Sequence, residues 1–275
     1  MVFCRYQSRQ AIPCDKLCYL GIVQPVSHIQ AGSARRRRHR FPGSISHKPR
    51  VEARVCAHNE ILSRIDLEQT IAIVGGTGPE GIGLALRFAR AGAHVRIGSR
   101  NPERACSTAQ RVAEIAGAGK VEGFVNAEAV SEADVVLVTV PPEAQVDTLE
   151  SIRPNFKQDA ILVDVTVRLK AADNSAMVAA EHVPAGVVVA STFHTLGHEL
   201  LEHLDESIDS DVMVCSDNSH AKAVVTELVK LLPGARPVDA GGLKNSRLIE
   251  NLVQLLIALN RRHKVKHAGV RITGL

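Results

Sequence analysis

The sequence feature that most constrains this chain is an apolar run followed at once by a cluster of glycines. Thr70 to Val74 is short, β-branched and apolar, which predicts a buried strand. Residues 75–81 then read GGTGPEG, and Leu84 to Ala91 has helical spacing. Glycines between a strand and a helix permit a tight turn and a close backbone approach. The segment therefore predicts a phosphate-binding strand–turn–helix unit.

Three of these glycines have the spacing G-x-G-x-x-G, at Gly76, Gly78 and Gly81. We expect Gly76 to allow the tight turn and Gly78 to let the backbone approach a pyrophosphate, while Gly81 lets the helix pack closely on the strand. We expect Glu80 to favour the helix N-terminus, with its side chain pointing away from the ligand. An ordinary glycine-rich turn is the alternative interpretation.

The residues after the second predicted strand indicate which dinucleotide binds. An NAD site usually has an acid there, about 20 residues after the glycines, to hold the ribose 2′-hydroxyl. Here the strand ends in Ser99 and Arg100, Arg104 follows one helical turn later, and no acid lies between the end of the strand and Glu103. A hydroxyl and two guanidinium groups suit a 2′-phosphate, so the sequence favours NADP over NAD, and it disfavours S-adenosylmethionine. The alternative is that both arginines are solvated charges at a helix start.

Strands and helices alternate along the rest of this region. A helix is predicted at 102–116, and five further strands are predicted at 94–97, 121–125, 134–140, 160–165 and 186–190. This alternation predicts an α/β fold with a Rossmann-type, doubly wound parallel sheet. A smaller C-terminal α/β part is predicted from strands at 211–215 and 236–239 and helices at 219–232 and 245–262.

Residues 1–67 form a predicted leader of different composition. They carry 12 Lys and Arg against 4 Asp and Glu, a net +8, whereas the remainder carries 21 against 25, a net −4. We interpret the leader as a disordered tail, although its run Arg35–Arg38 would also suit nucleic acid or an acidic membrane. A targeting segment, a regulatory tail and a misplaced start codon stay open. A zinc site from its cysteines and histidines is an alternative to free thiols in a reducing cytoplasm.

Composition excludes several classes of function for the remainder. Aromatic residues make up only 3% of the chain, which disfavours base stacking on nucleic acid. No apolar run reaches the roughly 18 residues of a membrane span, so we expect a cytoplasmic protein. We find neither a Ser–His–Asp pattern nor a metal-type cluster, and hydride transfer needs neither, because the cofactor carries that chemistry.

Two segments are expected at the carboxyl edge of the sheet, where such folds bind ligands. Val140 and Pro141 end the fourth strand and should lie by a nicotinamide ribose, with a simple turn as the alternative. His194 follows the sixth strand and would orient or polarise a second substrate, with a structural histidine as the alternative.

Several segments, in order, resemble the NADPH-dependent coenzyme F420 reductases, which are 8-hydroxy-5-deazaflavin:NADP oxidoreductases. The matching strings are GGTGPEGIGLALRFARAGAHVRIGSR, TVPPEA, STFHT, DVMVCSDN, DAGGLKNSRLIENLVQLLIALNRR and the terminal HAGVRITGL. The resemblance runs from about Thr70 to Leu275 and fails over the leader. It is weaker at residues 164–168, which leaves the contacts to the deazaflavin tail open.

The resemblance implies reversible hydride transfer between C4 of the nicotinamide of NADP(H) and C5 of the deazaflavin coenzyme F420. It implies NADP contacts at Thr77, Gly78, Ser99, Arg100 and Arg104, the last often a lysine in this family. It also places His194 beside the deazaflavin, with the backbone at Ala268 and Gly269 approaching the same ring. Family members are dimers, which agrees with the apolar girth of the helix at 245–262. We therefore expect an NADP-binding domain at 68–195 and a deazaflavin-binding, dimerising part at 196–275.

Two other functions stay open at this point. Another NADP-dependent dehydrogenase, such as a β-hydroxyacid or imine reductase, is one; the hydroxyacid class needs a lysine with an asparagine four residues on. Lys170 and Asn174 have that spacing but lie in a polar stretch, and Lys244 is followed by Leu248. The other is a non-enzymatic NADPH sensor with the leader as its partner-binding arm, because a fold alone does not fix function.

Overall fold

The structure is a computed structural model that describes residues 69–169 and 173–275. The leader, with its arginine run and its possible zinc ligands, and Lys170 lie outside the described residues. The strands of the described residues are β1 (Thr70–Val74), β2 (His94–Ser99), β3 (Lys120–Val125), β4 (Val135–Val138), β5 (Ile161–Asp164), β6 (Val188–Ser191), β7 (Ser210–Ser216) and β8 (Ala235–Asp239). The helices are α1 (Pro79–Arg90), α2 (Pro102–Ala116), α3 (Asn126–Val130), α4 (Gln145–Ile152), α5 (Ser175–Glu181), α6 (His198–Glu202), α7 (Ser219–Lys230) and α8 (Ser246–His263).

The strands form one sheet in the order β3-β2-β1-β4-β5-β6-β7-β8. All neighbours from β3 to β6 are parallel, β7 is antiparallel to β6, and β8 is parallel to β7. This confirms the predicted Rossmann-type parallel sheet. Because β1 lies between β2 and β4, the chain reverses its direction of progress across the sheet there, and such a switch point opens a crevice at the carboxyl edge.

Both faces of the central strands are covered. In β1, Ile71 and Ile73 pack into one apolar cluster, whereas Ala72 and Val74 pack into the other. Each of these side chains is at most 1% exposed. Parallel strands buried on both faces read as continuous apolar runs, which is why they could be predicted from the sequence.

Local signals explain where the elements begin and end. Helix α2 starts after Asn101, whose Oδ1 accepts from Arg104 N, and stops at Gly117 with φ 66°, so its bounds match the prediction. Helix α1 extends back to Pro79, and β4 is shorter than the predicted 134–140. Helices α3 to α6 have five to eight residues each and were not predicted, because so few turns give no lasting periodicity.

A buried arginine fixes the connection between β6 and β7. Arg87 of α1 is 2% exposed and donates only to backbone carbonyl groups. Its Nε donates to Leu201 O at 2.9 Å, and its Nη2 donates to Leu200 O at 2.7 Å and His203 O at 2.6 Å. Nη1 donates to Glu206 O at 3.0 Å. One side chain thus satisfies the carbonyl groups at the end of α6, which would otherwise lack partners.

The C-terminal segment is attached to the sheet through one acid of β7. The Asp211 side chain is fully buried and accepts from Arg236 Nε at 2.7 Å and from Arg271 Nη1 at 3.1 Å. It also accepts from the backbone N–H of Ile272 at 2.6 Å. These contacts hold residues 270–272 beside the first residues of β7.

We expect Asp211→Asn to lower the stability of the protein. Loss of the charged hydrogen bonds should cost about 2 kcal/mol at pH 7, measured by thermal or urea unfolding. Arg236 holds the pKa of Asp211 well below its usual range. The stabilisation is therefore present above the unfolded pKa of about 3.9 and is lost as pH falls through the folded pKa. The difference between the proteins should shrink in strong acid.

Asp209→Asn is the matched control for this change. Asp209 binds Arg271 from the surface, with its side chain 86% exposed, so its loss should change stability little. Equal destabilisation by both substitutions would contradict a special role for the buried acid.

Candidate functional site

A cleft of about 500 Å³ lies at the carboxyl edge, over the switch point of the sheet. It runs from the end of β2 across the turn after β1 to the segments that follow β4 and β5. Seven sequence-predicted site residues line it, namely Thr77, Gly78, Ser99, Arg100, Arg104, Val140 and Pro141. The other five lie elsewhere: Gly76 and Gly81 pack behind the turn, and His194, Ala268 and Gly269 do not line the cleft.

The turn after β1 depends on two adjacent glycines. Gly75 has φ +75°, and a Cβ there would lie 2.7 Å from Val140 Cγ1. Gly76 N donates to Ile73 O at 3.1 Å and to Gly98 O at 3.0 Å, and a Cβ at Gly76 would meet Ile73 O at 2.7 Å. The G-x-G-x-x-G spacing predicts the turn at Gly76 alone, whereas the doubled glycine Gly75–Gly76 is the sequence signal for both residues.

Gly81 brings the start of α1 against this turn. A Cβ at Gly81 would lie 2.6 Å from Gly76 Cα and 2.9 Å from Thr139 Oγ1. Gly78 is the N-cap residue of α1, and no side chain caps the helix. The first-turn N–H groups of a twelve-residue helix are therefore open at the cleft, where they and the helix dipole suit an anion.

The prediction that the Glu80 side chain points away from the ligand is wrong. Glu80 lines the cleft instead of pointing away from it, and its Oε1 is buried with no hydrogen-bond partner among the described residues. Side chains tilt towards the N-terminus of their helix, and Glu80 is the second residue of α1, so this tilt directs it at the cleft. Burial raises the pKa of Glu80 to about 8.

The cationic end of the cleft lies after β2. Arg100 and Arg104 are exposed, and neither guanidinium group has an ion-pair or hydrogen-bond partner within the described parts of the chain. Ser99 is 7% exposed, and its Oγ accepts from Asn101 N at 3.2 Å. Two unpaired guanidinium groups beside a hydroxyl form a site that binds a doubly charged phosphate well.

Asn126 lines the cleft and is not among the predicted site residues. It begins α3 and its Oδ1 is buried without a hydrogen-bond partner among the described residues, close to Gly98. No motif marks this position in the sequence, because Asn126 reaches the cleft only through the pairing of β2 with β3. A buried amide oxygen without a partner in a binding cleft is a natural acceptor for a hydrogen-bond donor of a ligand.

The far end of the cleft is formed by the segments after β4 and β5. Thr139 Oγ1 donates to Val74 O at 3.0 Å, which ties the end of β4 to β1. Thr166 Oγ1 donates to Val140 O at 3.2 Å and joins the two segments. Val140, Pro141 and residues 165–167 then give this end a mainly apolar wall.

His194 lies behind that wall. Its side chain is fully buried, and its Nε2 is 4.0 Å from Oδ2 of the equally buried Asp164, too far for a hydrogen bond. Neither ring nitrogen makes a well-formed hydrogen bond within the described residues, although the backbone of Thr166 lies close enough to act against the effect of burial on the pKa of the ring. Burial lowers the pKa of His194 to about 4 and raises that of Asp164 to about 7.

Gly269 lies beside Ser210, the first residue of β7, and Ala268 precedes it. Ala268 N donates to Asn260 Oδ1 at 2.9 Å, and a Cβ at Gly269 would lie 2.9 Å from Ser210 Oγ. Because β7 is antiparallel to β6, its first residues lie beyond the carboxyl ends of β1 to β6. This segment therefore shares an edge of the sheet with the cleft without lining it.

Comparison with known proteins agrees with this arrangement. The family model described as "NADP oxidoreductase coenzyme F420-dependent" matches residues 70–168. The F420-dependent NADP reductase of Methanothermobacter thermautotrophicus is 42% identical over 221 residues, which cover 74% of this chain and 95% of that protein. The F420-dependent NADP reductase of Methanocaldococcus jannaschii is 37% identical and is covered to 98%.

Among solved structures, a putative F420-dependent NADP reductase from Arthrobacter sp. FB24 has the same fold. It superposes with a TM-score of 0.63 at 22% identity, over 74% of this chain and 99% of that one. The 3-hydroxyisobutyrate dehydrogenase of Mycobacterium tuberculosis superposes with a TM-score of 0.54 at 18% identity, which extends the likeness of fold to another dehydrogenase class. From its curated relatives, this chain belongs to the family of coenzyme F420-dependent NADP oxidoreductases.

Proposed function

We propose that this protein transfers a hydride reversibly between NADP(H) and the deazaflavin coenzyme F420. The observation that carries the NADP half is the pair of unpaired guanidinium groups, Arg100 and Arg104, at one end of a cleft that starts at a glycine turn. The F420 half is supported by membership of the family, whose curated relatives carry that coenzyme in their names.

NADP fits the cleft along its length. Arg100, Arg104 and the Ser99 hydroxyl would hold the 2′-phosphate. Thr77, Gly78 and the open N–H groups of α1 would hold the pyrophosphate, with Gly76 and Gly81 keeping helix and strand close behind it. Val140 and Pro141 would flank the nicotinamide ribose at the apolar end of the cleft.

The deazaflavin is proposed to bind on the β5–β6 side of the nicotinamide. Since the 2′-phosphate end lies at β2 and the sheet order continues β1-β4-β5-β6, a second ring beyond the nicotinamide would lie on the β5–β6 side. His194, Ala268 and Gly269 all belong to segments at this side of the carboxyl edge.

The two coenzymes supply the redox chemistry when bound, and the protein supplies position and environment. The apolar wall formed by the residues after β4 and β5 would exclude water from the nicotinamide. The arginines would hold the other end of the dinucleotide and so position it along the cleft.

We further propose a homodimer that works in the cytoplasm, where a thiol such as the buried Cys215 stays reduced. No helix in the described part of the chain is long and apolar enough to cross a membrane. Helix α8 supports the dimer, because Leu248 is 68% exposed and Leu255 is 54% exposed on its surface. Large apolar side chains exposed together on one helix typically mark an interface.

We expect Arg100→Ala to raise the KM for NADPH by about ten- to a hundred-fold and to leave the KM for NADH nearly unchanged. Only NADPH carries the 2′-phosphate, and loss of a bidentate charged contact costs about 1.5–3 kcal/mol. The assay follows the loss of visible absorbance of oxidised coenzyme F420.

Arg111→Ala is the control for this measurement, because Arg111 is an exposed arginine of α2 that does not line the cleft. It should leave both KM values unchanged. An equal rise for NADPH and NADH in Arg100→Ala would argue against a phosphate clamp. Demonstrable NADPH binding without any reduction of coenzyme F420 would argue against the proposed reaction.

We expect Leu255→Glu to convert the dimer into a monomer, measured by analytical ultracentrifugation over a dilution series. A buried, unpaired charge at an interface is strongly unfavourable. Ile115→Glu is the matched control, since Ile115 is 51% exposed on α2, away from α8. A wild-type protein that is already a stable monomer at nanomolar concentration would contradict the proposed interface.

A further inference from the structure

Four buried polar atoms at the ends of β5 and β6 lack hydrogen-bond partners among the described residues. They are Asp164 Oδ2, Thr192 Oγ1 and both ring nitrogens of His194. Thr192 N donates to Asp164 O at 3.2 Å, so the segments carrying them are in register. Unpaired buried polar atoms are rare in proteins, and several in one place call for a functional explanation.

The carboxyl group of Asp164 is satisfied on one side only. Oδ1 accepts from Gln145 Nε2 at 2.8 Å and from Thr166 N at 3.4 Å, and the Ser175 hydroxyl also favours the ionised form of this carboxyl group. Oδ2 has no such donor and lies 4.0 Å from His194 Nε2. A bare carboxylate in this position would be unstable, because a buried charge needs hydrogen bonds or a counter-charge on its exposed lone pairs.

The charges that face this pair come from α8 and from the segment after β5. Glu250 of α8 is fully buried and accepts from Ser175 N at 2.8 Å and from Arg168 N at 3.1 Å. Arg247 lies 3.9 Å from Glu250. Arg168 donates from its Nε to Gln145 Oε1 at 3.1 Å.

The elements that pack closest to the pair include β7, whose Cys215 pairs in register with Ser191 of β6; burial raises the pKa of this thiol, so it stays neutral near pH 7. Helices α4 and α5 contribute Gln145 and Ser175, and the strands beside β5 contribute only apolar side chains and Ser191. The negative charge of Glu250 therefore adds to burial in raising the pKa of Asp164.

The charge of the Asp164–His194 pair depends on pH. The pKa of Asp164 is about 7 and that of His194 is about 4, in both cases shifted by burial. Between these pH values the pair holds one titratable proton, in addition to the N–H of the neutral imidazole, and carries no net charge. Above neutral pH the pair loses this proton and carries a net charge of −1, whichever residue is taken to release it.

The pair lies directly behind the wall of the cleft. Val165, Thr166 and Val167 line the cleft, and Asp164 is the residue before them. On the proposed binding mode, this wall is on the deazaflavin side of the nicotinamide. A change in the charge of the pair therefore acts on the hydride acceptor more strongly than on the donor.

We propose that Asp164 and His194 hold one proton behind the cleft wall, and that loss of this proton slows hydride transfer to the deazaflavin. This inference rests on the proposed function. In the forward reaction, the C–H bond at C4 of the reduced nicotinamide breaks with both electrons and a C–H bond forms at C5 of the deazaflavin. The acceptor thereby gains negative charge, which a proton from water neutralises. A neutral pair leaves that charge unopposed, whereas an ionised pair repels it.

The first test detects the protonated carboxyl group directly, on the protein without coenzymes. Infrared spectra between pH 5 and 9 should contain the carbonyl band of a protonated buried carboxyl group that disappears through about pH 7. Exposed carboxyl groups are already ionised there. Burial also raises the pKa of Glu80, to about 8, and that of Glu250. The band that disappears through about pH 7 should therefore be present in Glu80→Gln and lost from the double variant Glu80→Gln/Asp164→Asn, which retains Glu250.

The second test measures single-turnover hydride transfer from NADPH to coenzyme F420 against pH. The wild-type rate should fall about ten-fold as pH rises through 7, the effect of one charge at roughly 10 Å in a medium of effective dielectric constant about 20. Asp164→Asn cannot ionise and should keep the low-pH rate throughout. Asp134 lies at the amino ends of the strands, where it accepts from Thr70 N, so Asp134→Asn should retain the wild-type decline.

Three outcomes would overturn the inference. They are an infrared band that does not titrate between pH 6 and 8, a pH decline that persists in Asp164→Asn, and an Asp164→Asn rate that is uniformly low despite normal NADPH binding. If Asp164→Asn does not fold, the infrared titration of the wild-type protein and of Glu80→Gln still tests whether a buried carboxyl group titrates near pH 7. Absence of any hydride transfer in the wild-type protein would instead overturn the proposed function, with the infrared result still standing.

Discussion

The close contact between the start of α1 and the turn after β1 is the constraint on which the rest of the site depends. It exists because Gly81 has no Cβ, which would lie 2.6 Å from Gly76 Cα. The contact opens the N–H groups of α1 towards the carboxyl edge and brings Thr139 beside the same turn. Every feature of the cleft is then placed by the order of the parallel strands, from Arg100 after β2 to Thr166 after β5.

The charge of the cleft changes from one end of the carboxyl edge to the other. Arg100 and Arg104 form a cationic end without counter-charges among the described residues, and the far end is apolar. The acids near the cleft, Glu80 and Asp164, are buried, and burial raises the pKa of both. Acids with a raised pKa are less ionised near neutral pH than ordinary carboxyl groups, so they repel a polyanionic dinucleotide less.

Much of this could be predicted from the sequence, because it depends on local patterns. The buried strands are continuous apolar runs, and α2 carries both its cap residue Asn101 and its terminal Gly117. The environment of His194 could not be predicted, since its neighbour Asp164 comes from another strand and their distance depends on sheet register. The direction of Glu80 depended on a side-chain tilt that the motif does not encode.

The most direct test of the central claim is isotope transfer. NADPH would be labelled with deuterium on one or the other face of C4 and mixed with the enzyme and oxidised coenzyme F420, and the reduced product analysed by mass spectrometry and NMR. Direct transfer within one cleft requires the label from one face to appear at C5 of the deazaflavin, with none from the other face. Label found in water, or in the product from both faces equally, would contradict the account.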